Sequence, residues 1–256
     1  MKFRPCIDIH NGKVKQIVGS TLNDEKGSAT ENFVTDKGSA YYASLYRQHD
    51  LDGGHVINLN RRGSEFYDAS YEQVMSALSA YPGGLMAGGG ITAENAREYI
   101  DAGASHVIVT SYVFADGMIS FDNLKRLAEA VGPEKVVLDM SCRFIDGSYR
   151  VVTDRWQKIS DETVDEGLFE KLSDHCDEFL VHAVDAEGKS SGTDEKLIDI
   201  LSRADRPVCY AGGISSLEDI RRLRDAGKDR VDFTVGSKLS IFGGDLGLEE
   251  IIECTR

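Results

Sequence analysis

The sequence predicts an α/β protein folded as a single (β/α)8 TIM barrel, and three observations lead to this prediction. Short apolar runs alternate with longer amphipathic runs along the whole chain, which is typical of repeated βαβ units. The apolar runs are continuous, as expected for parallel strands that are covered on both faces. The 256 residues match the ~250 of one such barrel, and an internal repeat divides them into two halves.

Eight strands and the helices between them follow from this alternation. The strands are predicted at Arg4–Ile9, His55–Leu59, Gly84–Ala87, His106–Thr110, Lys135–Asp139, Glu178–Ala183, Pro207–Ala211 and Val231–Val235. The helices are predicted at Ala40–His49, Tyr71–Ala80, Ala93–Asp101, Asn123–Ala130, Gly167–Asp174, Glu195–Ser202 and Leu217–Asp225. No Pro/Ser-rich linker or low-complexity stretch interrupts the series, so we expect one domain over residues 1–256.

Two insertions break the rhythm, and each follows a strand that ends in an aspartate. Residues Gly19–Gly38 are polar and follow the strand-like run Val14–Val18. Residues Cys142–Trp156 indicate a hairpin around Asp146-Gly147-Ser148, a sequence typical of a tight turn between antiparallel strands. Both insertions therefore fall on the side of a barrel where such enzymes place their chemistry.

The internal repeat predicts two half-barrels, at about residues 1–130 and 131–256. Gly89 and Gly212 occupy matching Gly-Gly runs that lie 123 residues apart, close to half the chain length. Each run is followed by a predicted helix that ends in Asp-Ala-Gly, and then by a strand that ends in a small polar pair. An open eight-stranded sheet would not predict this two-fold symmetry.

The glycine runs are candidate phosphate sites. A glycine pair that leaves a strand lets the backbone approach an anion closely, and a helix start supplies amide groups with a positive dipole end. Ser215 and Glu218 fit a capping box that marks one such helix start. A tight strand-to-helix turn without a ligand is the plain alternative, and the matching of two units favours phosphate. The candidate residues are Gly89, Gly90, Thr110, Ser111, Gly212, Gly213, Gly236 and Ser237.

The candidate catalytic residues are Asp8 and Asp139, which end the first and fifth predicted strands. In an eight-stranded barrel these strands lie opposite each other, so the two carboxylates would flank a substrate at the mouth. Such a pair can divide acid and base roles when the surroundings separate their pKa values. A single strand-end aspartate is as often a loop cap, but the equivalent positions of these two favour catalysis.

Several other side chains have two readings each. Trp156, the one tryptophan of the chain, has polar neighbours, so stacking on a heterocyclic ligand is as reasonable as a core position. His182 alternates with apolar residues and is either a site residue or a hydrogen-bonded core histidine. Asp185, His10 and Lys15 either orient a substrate or only solvate loops.

The composition excludes several kinds of partner. A net charge of −14 and a pI of about 4.9 argue against nucleic acid and against an acidic membrane surface. The five cysteines form no C-x-x-C pair and accompany no histidine cluster, so we expect reduced thiols and no metal site. The chain has no signal-like start and no long apolar run, so we expect a cytoplasmic monomer that binds a small molecule.

The run Cys6–Gln16, CIDIHNGKVKQ, resembles the phosphoribosylformimino-aminoimidazole-carboxamide ribotide isomerases of histidine biosynthesis, in particular their fungal and plant branch. The likeness covers essentially the whole chain, and its segments are specific when they are taken together. The other segments are Val107–Ser111, Val137–Arg143, Phe179–Ala183, Tyr210–Ile214 and Ile241–Gly244.

The resemblance implies an Amadori rearrangement that converts the N-linked aminoaldose ProFAR to the aminoketose PRFAR without a metal or an organic cofactor. It assigns the strand-end aspartates as the acid–base pair, with Asp139 as the acid and Asp8 as the base, although the sequence leaves the reverse assignment open. The substrate has a phosphate at each end, in agreement with the doubled glycine units.

Three positions depart from the more familiar bacterial pattern, and all three concern supporting residues. Asn58-Leu59-Asn60 stands where Asp-x-Asp is common, Thr92 follows the glycine run where arginine is frequent, and Ala183 follows His182 where threonine is usual. The sister cyclase, which takes ammonia from a glutaminase partner, remains an alternative. A dual-substrate isomerase that also serves tryptophan synthesis and a non-enzymatic sugar-phosphate-binding protein are further alternatives.

Overall fold

Eight parallel strands curl into a closed barrel in the computed structural model, which describes residues 1–17, 31–154, 156–186 and 192–255. The strands are β1 (Cys6–His10), β2 (Lys13–Ile17), β3 (Glu31–Val34), β4 (Gly54–Asn58), β5 (Leu85–Gly88), β6 (Val107–Val109), β7 (Phe114–Ala115), β8 (Met118–Ile119), β9 (Val136–Ile145), β10 (Ser148–Thr153), β11 (Lys158–Thr163), β12 (Glu178–Ala183), β13 (Val208–Ala211) and β14 (Val231–Thr234). The barrel order is β1-β4-β5-β6-β9-β12-β13-β14, so all eight predicted barrel strands are confirmed.

Helices lie between successive barrel strands and cover the outside of the barrel. They are α1 (Ser39–Gln48), α2 (Tyr67–Ala80), α3 (Ala96–Asp101), α4 (Phe121–Val131), α5 (Glu166–Leu172), α6 (Glu195–Leu201), α7 (Leu217–Ala226) and α8 (Leu248–Thr255). The first seven confirm the predicted helices. Among the residues that the structure describes, no helix is both long enough and apolar enough to cross a lipid bilayer.

The barrel closes between β14 and the segment that precedes β1. Phe3 and Phe233 form a parallel bridge, in which the Arg4 amide donates to the Phe233 carbonyl (2.8 Å) and the Phe233 amide donates to the Lys2 carbonyl (3.1 Å). The two phenylalanine rings also pack together, with centroids 5.5 Å apart. The first residues of the chain therefore complete the sheet and leave it without a free edge there.

Each half of the barrel begins with an antiparallel ribbon, which is a structural form of the predicted repeat. β2 pairs with β1 and β3, and β10 pairs with β9 and β11. Asp146 (φ 49°) and Gly147 (φ 87°) form the tight turn of the predicted hairpin, because both central residues of such a turn need a positive φ. The strand β11 was not predicted. Residues 18–30 of the predicted insertion Gly19–Gly38 lie outside the described residues.

The capping motif of α7 lies one residue further along the chain than its sequence suggests. Ser216, not Ser215, is the N-cap, and its hydroxyl accepts from the Asp219 amide (3.1 Å). The Asp219 carboxylate in turn accepts from the Ser215 amide (2.9 Å), whereas Glu218 lies within ion-pair distance of arginines on α7. The prediction of a box from Ser215 to Glu218 was wrong by one residue, because the helix begins after Ser216 and the third residue beyond that cap is Asp219.

Two apolar clusters hold the described residues together. The larger one lies between the strands and the helices and includes Ile7, Ile9, Leu138 and Met140. The smaller one fills the inside of the barrel with Met86, Ile108, Val137, Leu180, Cys209 and Ala211. Successive strand residues point to opposite faces, so these two clusters identify which side chains face the barrel axis.

An ionic cluster lies below the inner apolar cluster, at the end of the barrel away from the mouth. The Arg4 guanidinium contacts Asp232 (2.8 Å) and Glu178 (3.3 Å), and all three residues are buried. Burial raises the pKa of Glu178 to about 7, and the attraction of Arg4 opposes this effect only in part. Burial likewise lowers the pKa of His55 to about 3, so this neighbour of Arg4 is neutral at pH 7.

The raised pKa of Glu178 predicts a pH dependence of stability. The folded state binds the proton more tightly than the unfolded state, whose pKa is near 4.5, so the unfolding free energy falls as the pH rises from 4.5 to 7. We expect the wild type to lose ~2–3 kcal/mol relative to Glu178→Gln between pH 5 and pH 8. Urea unfolding of both proteins at the two pH values measures this difference. A constant difference would contradict the shift, since histidine titrations cancel in the comparison.

Candidate functional site

Asp8 and Asp139 face the barrel axis at opposite sides of the mouth. β1 and β9 are the first and fifth strands in barrel order, so three strands lie between them in either direction around the barrel. Asp139 follows Val137 by two residues on β9, and Val137 belongs to the cluster inside the barrel. Ile7 and Ile9, which flank Asp8, belong to the outer cluster. Both aspartates are half-buried, so each combines a defined environment with access from the mouth.

Two predicted site residues lie directly against Asp139. The Thr110 hydroxyl donates to Asp139 Oδ2 (2.9 Å), and His182 Nε2 lies 3.4 Å from Asp139 Oδ1. Thr110 follows β6 and His182 lies on β12, the two neighbours of β9 in the barrel. The carboxyl group is therefore contacted from both sides, by a hydroxyl that can donate or accept a hydrogen bond and by an imidazole.

Asp8 has a partner that was not predicted from the sequence. Gln16, on β2, donates from Nε2 to Asp8 Oδ2 over 3.1 Å and is only 3% exposed. The signal was present as a polar residue within the apolar run Val14–Val18 directly after the Asp8 strand. The sequence could not show that β2 folds back on β1, which brings Gln16 to the carboxylate.

The two glycine turns make the same approach in the two halves of the barrel. A Cβ on Gly89 (φ 102°) would lie 2.0 Å from the Asn58 carbonyl oxygen, and one on Gly212 (φ 140°) would lie 3.0 Å from that of Ala183. Asn58 and Ala183 each end the preceding barrel strand. Both glycines thus need their positive φ and their missing side chain to keep the turn close to the neighbouring strand.

The remaining glycine and hydroxyl candidates are adjacent to these turns. Thr110 and Ser111 follow β6, which pairs with β5, and both are exposed at the mouth. Gly236 and Ser237 follow β14, which pairs with β13, and both are half-buried. Each glycine turn therefore has the polar end of the next strand beside it. Gly90 (φ 67°) and Gly213 (φ 70°) continue the two turns.

Trp156 lies in the turn between β10 and β11, with a positive φ of 66°. Val152 pairs with Ser141, so the ribbon returns the chain to the level of the barrel mouth shortly before Trp156. His182 also pairs with Ser141 from the other side of β9. The ring is half-buried, and the register places it at the mouth side of the ribbon rather than in either apolar cluster.

The side chains with uncertain roles have structural partners. Lys15 is buried and forms an ion pair with Glu31, which joins β2 to β3. Asp185 accepts from the Phe144 amide (3.4 Å) and lies 3.8 Å from Arg143, so it connects the segment after β12 to the end of β9. His10 is almost fully buried.

The described part of the chain contains no group of three or more histidine, cysteine, aspartate or glutamate side chains that could hold a metal ion. Cys6, Cys142, Cys176 and Cys209 are buried free thiols, and Cys254 is half-buried. Burial raises the pKa of Cys6, Cys142 and Cys209, so these thiols are protonated at pH 7.

Comparison with known proteins points to one family. Residues 2–240 match the family described as histidine biosynthesis protein. The chain is 52% identical to the chloroplastic 1-(5-phosphoribosyl)-5-((5-phosphoribosylamino)methylideneamino)imidazole-4-carboxamide isomerase of Medicago truncatula, over 98% of this chain and 81% of that protein. Isomerases with the same chemical name from Neurospora crassa and Saccharomyces cerevisiae are 44% and 41% identical, over 100% and 96% of this chain and 98% and 94% of their own.

The geometry of the first glycine turn predicts a selective effect of Gly89→Ala. The new methyl group would collide with the Asn58 carbonyl and displace the turn, whereas the second turn would stay in place. On titration with inorganic phosphate, we expect the backbone amide signals of Gly90 and Gly213 both to shift in NMR spectra of the wild type. In Gly89→Ala only the Gly213 signal should shift.

Gly83→Ala is the matched control for this experiment, because Gly83 has a similar positive φ (76°) but open space around it. It should lose about 1 kcal/mol of stability from backbone strain and keep both phosphate responses. Equal responses of Gly90 in Gly89→Ala and in the control would contradict an anion site at the first turn.

Proposed function

This chain belongs to the histidine biosynthesis protein family and is an isomerase, and we propose that it converts the N-linked aminoaldose ProFAR to the aminoketose PRFAR by an Amadori rearrangement. Asp139 and Asp8 act as acid and base, and the two glycine turns bind the two phosphates. The observation that carries this proposal is the pair of opposed aspartates, each with a different hydrogen-bonding environment, between two equivalent glycine turns.

The two-fold arrangement suits a ligand with a phosphate at each end. The chemical names of the relatives contain two phosphoribosyl groups. The turns at Gly89 and Gly212 belong to the third and seventh barrel strands, so they lie on opposite sides of the mouth. A substrate that spans them passes over the barrel axis, and there both carboxylates can reach it.

Phosphate binding is compatible with the strongly acidic composition because the groups that would bind the anion are local. Gly212 and Gly213 lead into α7, whose first turn supplies amide groups and the positive end of the helix dipole. Gly236 and Ser237 follow the adjacent strand and would contribute further amide and hydroxyl donors. The net charge of −14 acts over longer distances and is screened by salt.

The surroundings of Asp139 support its assignment as the acid. A hydroxyl group such as that of Thr110 can donate to a carboxylate and can also accept from a protonated carboxyl group, so it tolerates both states. His182 Nε2, at 3.4 Å, is a second group that can take or return a proton. Asp139 therefore lies in an environment that allows it to protonate the ribose ring oxygen and be reprotonated.

The surroundings of Asp8 support its assignment as the base. The amide nitrogen of Gln16 can only donate, so its hydrogen bond fits an Oδ2 that carries no proton. A donor of this kind favours the charged form of a carboxylate. Asp8 is therefore prepared to accept a proton from the substrate carbon.

The proposed steps balance without any redox partner. Asp139 donates its proton to the ring oxygen, the bond from C1 to that oxygen breaks, and the nitrogen lone pair forms the C1–N double bond of a Schiff base. Asp8 removes the proton from C2, and the electron pair moves to give an enolamine. The enolamine takes up a proton at C1 and loses the proton of the C2 hydroxyl, which gives the ketose. The net change is an isomerisation, so acid–base groups alone are sufficient.

Product analysis after incubation of the metal-stripped protein with ProFAR alone tests the proposal. We expect the wild type to form PRFAR and the variants Asp8→Asn and Asp139→Asn to lose about 10²- to 10⁴-fold in rate, the usual contribution of a general acid or base. Asp52→Asn is the control, because this exposed carboxylate lies in the loop before β4 at the other end of the barrel.

Other substrates separate the alternatives. Imidazole glycerol phosphate formed from PRFAR and ammonia, with ProFAR unchanged, would identify a cyclase. Turnover of the phosphoribosyl aminoaldose of tryptophan synthesis in addition to ProFAR would identify a dual-substrate isomerase. Binding of ProFAR without conversion, and unaffected by either aspartate variant, would leave a sugar-phosphate-binding protein and overturn the proposal.

A further inference from the structure

We infer that Gln16 is a positioning residue that fixes the Asp8 carboxylate and links it to the glycine segment after β14. This inference rests on the proposed role of Asp8 as the base. It adds a residue that does not touch the reacting atoms but determines where the base stands and how that position responds to the phosphate-binding segment.

The Gln16 side-chain amide lies between the base and the glycine segment after β14. Its Nε2 donates to Asp8 Oδ2 (3.1 Å) and approaches Cys6 Sγ (3.8 Å), and the side chain is 3% exposed. On its other side, the Oε1 atom lies 2.8 Å from the position that a Cβ on Gly236 would occupy. The amide group therefore fills the space between the Asp8 carboxylate and the backbone of Gly236.

The backbone of Gln16 is fixed more firmly than that of an ordinary loop residue. β2 is the central strand of a three-stranded ribbon, and Gln16 pairs with Phe33 on β3, next to the pair Lys15–Val34. Phe33 in turn packs against Phe242, with ring centroids 5.7 Å apart. The donor is thus anchored on both sides before any substrate arrives, which is the preorganisation that a catalytic carboxylate requires.

A buried glutamine that only satisfies neighbouring polar groups is the plainer reading. That reading predicts loss of stability on substitution and no change in the chemistry of the base. The positioning role instead predicts a change in the pH dependence of the reaction, because an amide donor favours the charged form of the carboxylate. Without it, Asp8 would retain a proton to a higher pH and would act as a base over a narrower range.

Among the residues that the structure describes, ionisable groups beside Asp8 on β1 and α1 do not titrate in the relevant range. They are the Cys6 thiol on β1 and the Tyr46 hydroxyl on α1, which donates to the Cys6 carbonyl (2.9 Å). Burial raises the pKa of both groups, so both are neutral between pH 5 and pH 9. Neither of these two groups would therefore produce a displaced acidic limb in a Gln16 variant.

The test compares Gln16→Met, which keeps the length but removes the donor, with Gln16→Glu, which replaces the donor by an acceptor. We expect kcat for ProFAR to fall about 10- to 100-fold in Gln16→Met, the factor that a hydrogen bond to a charged group represents, with KM within about twofold of wild type. The acidic limb of the kcat/KM profile should move to higher pH in both variants, and further in Gln16→Glu.

Gln73→Met is the matched control. Gln73 accepts from the Ser39 amide between α1 and α2, so its loss removes a structural hydrogen bond and should leave kcat and the pH profile unchanged. The link to the phosphate-binding segment is tested by Gly236→Ala, which should push the Gln16 amide away from Asp8. It should therefore reproduce the kcat loss and the shifted limb of Gln16→Met.

The outcomes separate this inference from the proposed function. Folded Gln16→Met and Gln16→Glu proteins with wild-type kcat and an unshifted limb would overturn the positioning role, even if Asp8→Asn is inactive. Full activity of Asp8→Asn would instead overturn the proposed function itself. A Gly236→Ala protein that changes KM alone would contradict the link and leave the hydrogen bond to Asp8 as the only role of Gln16.

Discussion

The parallel closure of the barrel between Phe3 and Phe233 is the constraint on which the rest of the site depends. Because all eight strands run in one direction around a closed sheet, their carboxyl ends form a single mouth, and strand-end residues are brought together from distant parts of the chain. Asp8 and Asp139 oppose each other only because three strands lie between theirs on either side. In an open sheet of the same strands, Asp8 would lie on an edge strand and Asp139 on an inner strand, so the two carboxylates would not face each other.

The second constraint is the contact of each glycine turn with the preceding strand. Gly89 lies against the carbonyl group of Asn58, where a Cβ would collide, and Gly212 lies against that of Ala183, where a Cβ would be tightly crowded. The requirement for glycine is therefore explained by packing alone, and the proposed use of these turns for phosphate adds a function to a backbone shape that the barrel already needs.

The parts of the structure that could be predicted are those whose signal is local in the sequence. Buried parallel strands are continuous apolar runs, and the Asp146-Gly147 turn has residues that accept a positive φ. The strand β11 gave no such signal because most of its side chains are polar and partly exposed. Gln16 could not be assigned because its partner depends on the register of β2 against β1. The positions of Thr110 and His182 in the sequence predicted that they lie at the mouth, but their contact with Asp139 depends on side-chain conformations that the sequence does not show.

A two-fold repeated backbone can support acid–base chemistry when different side chains surround its two carboxyl groups. The two halves of the barrel repeat the strand, the antiparallel ribbon and the glycine turn, so backbone symmetry alone would give the two carboxyl groups equal properties. Acid and base must differ in their affinity for a proton at the same pH. The difference has to come from side chains, and here the NH2 group of a glutamine donates to Asp8 while a hydroxyl and an imidazole lie beside Asp139. If the side chains that contact the two aspartates differ while the aspartates themselves are kept, one half of a doubled fold differs chemically from the other.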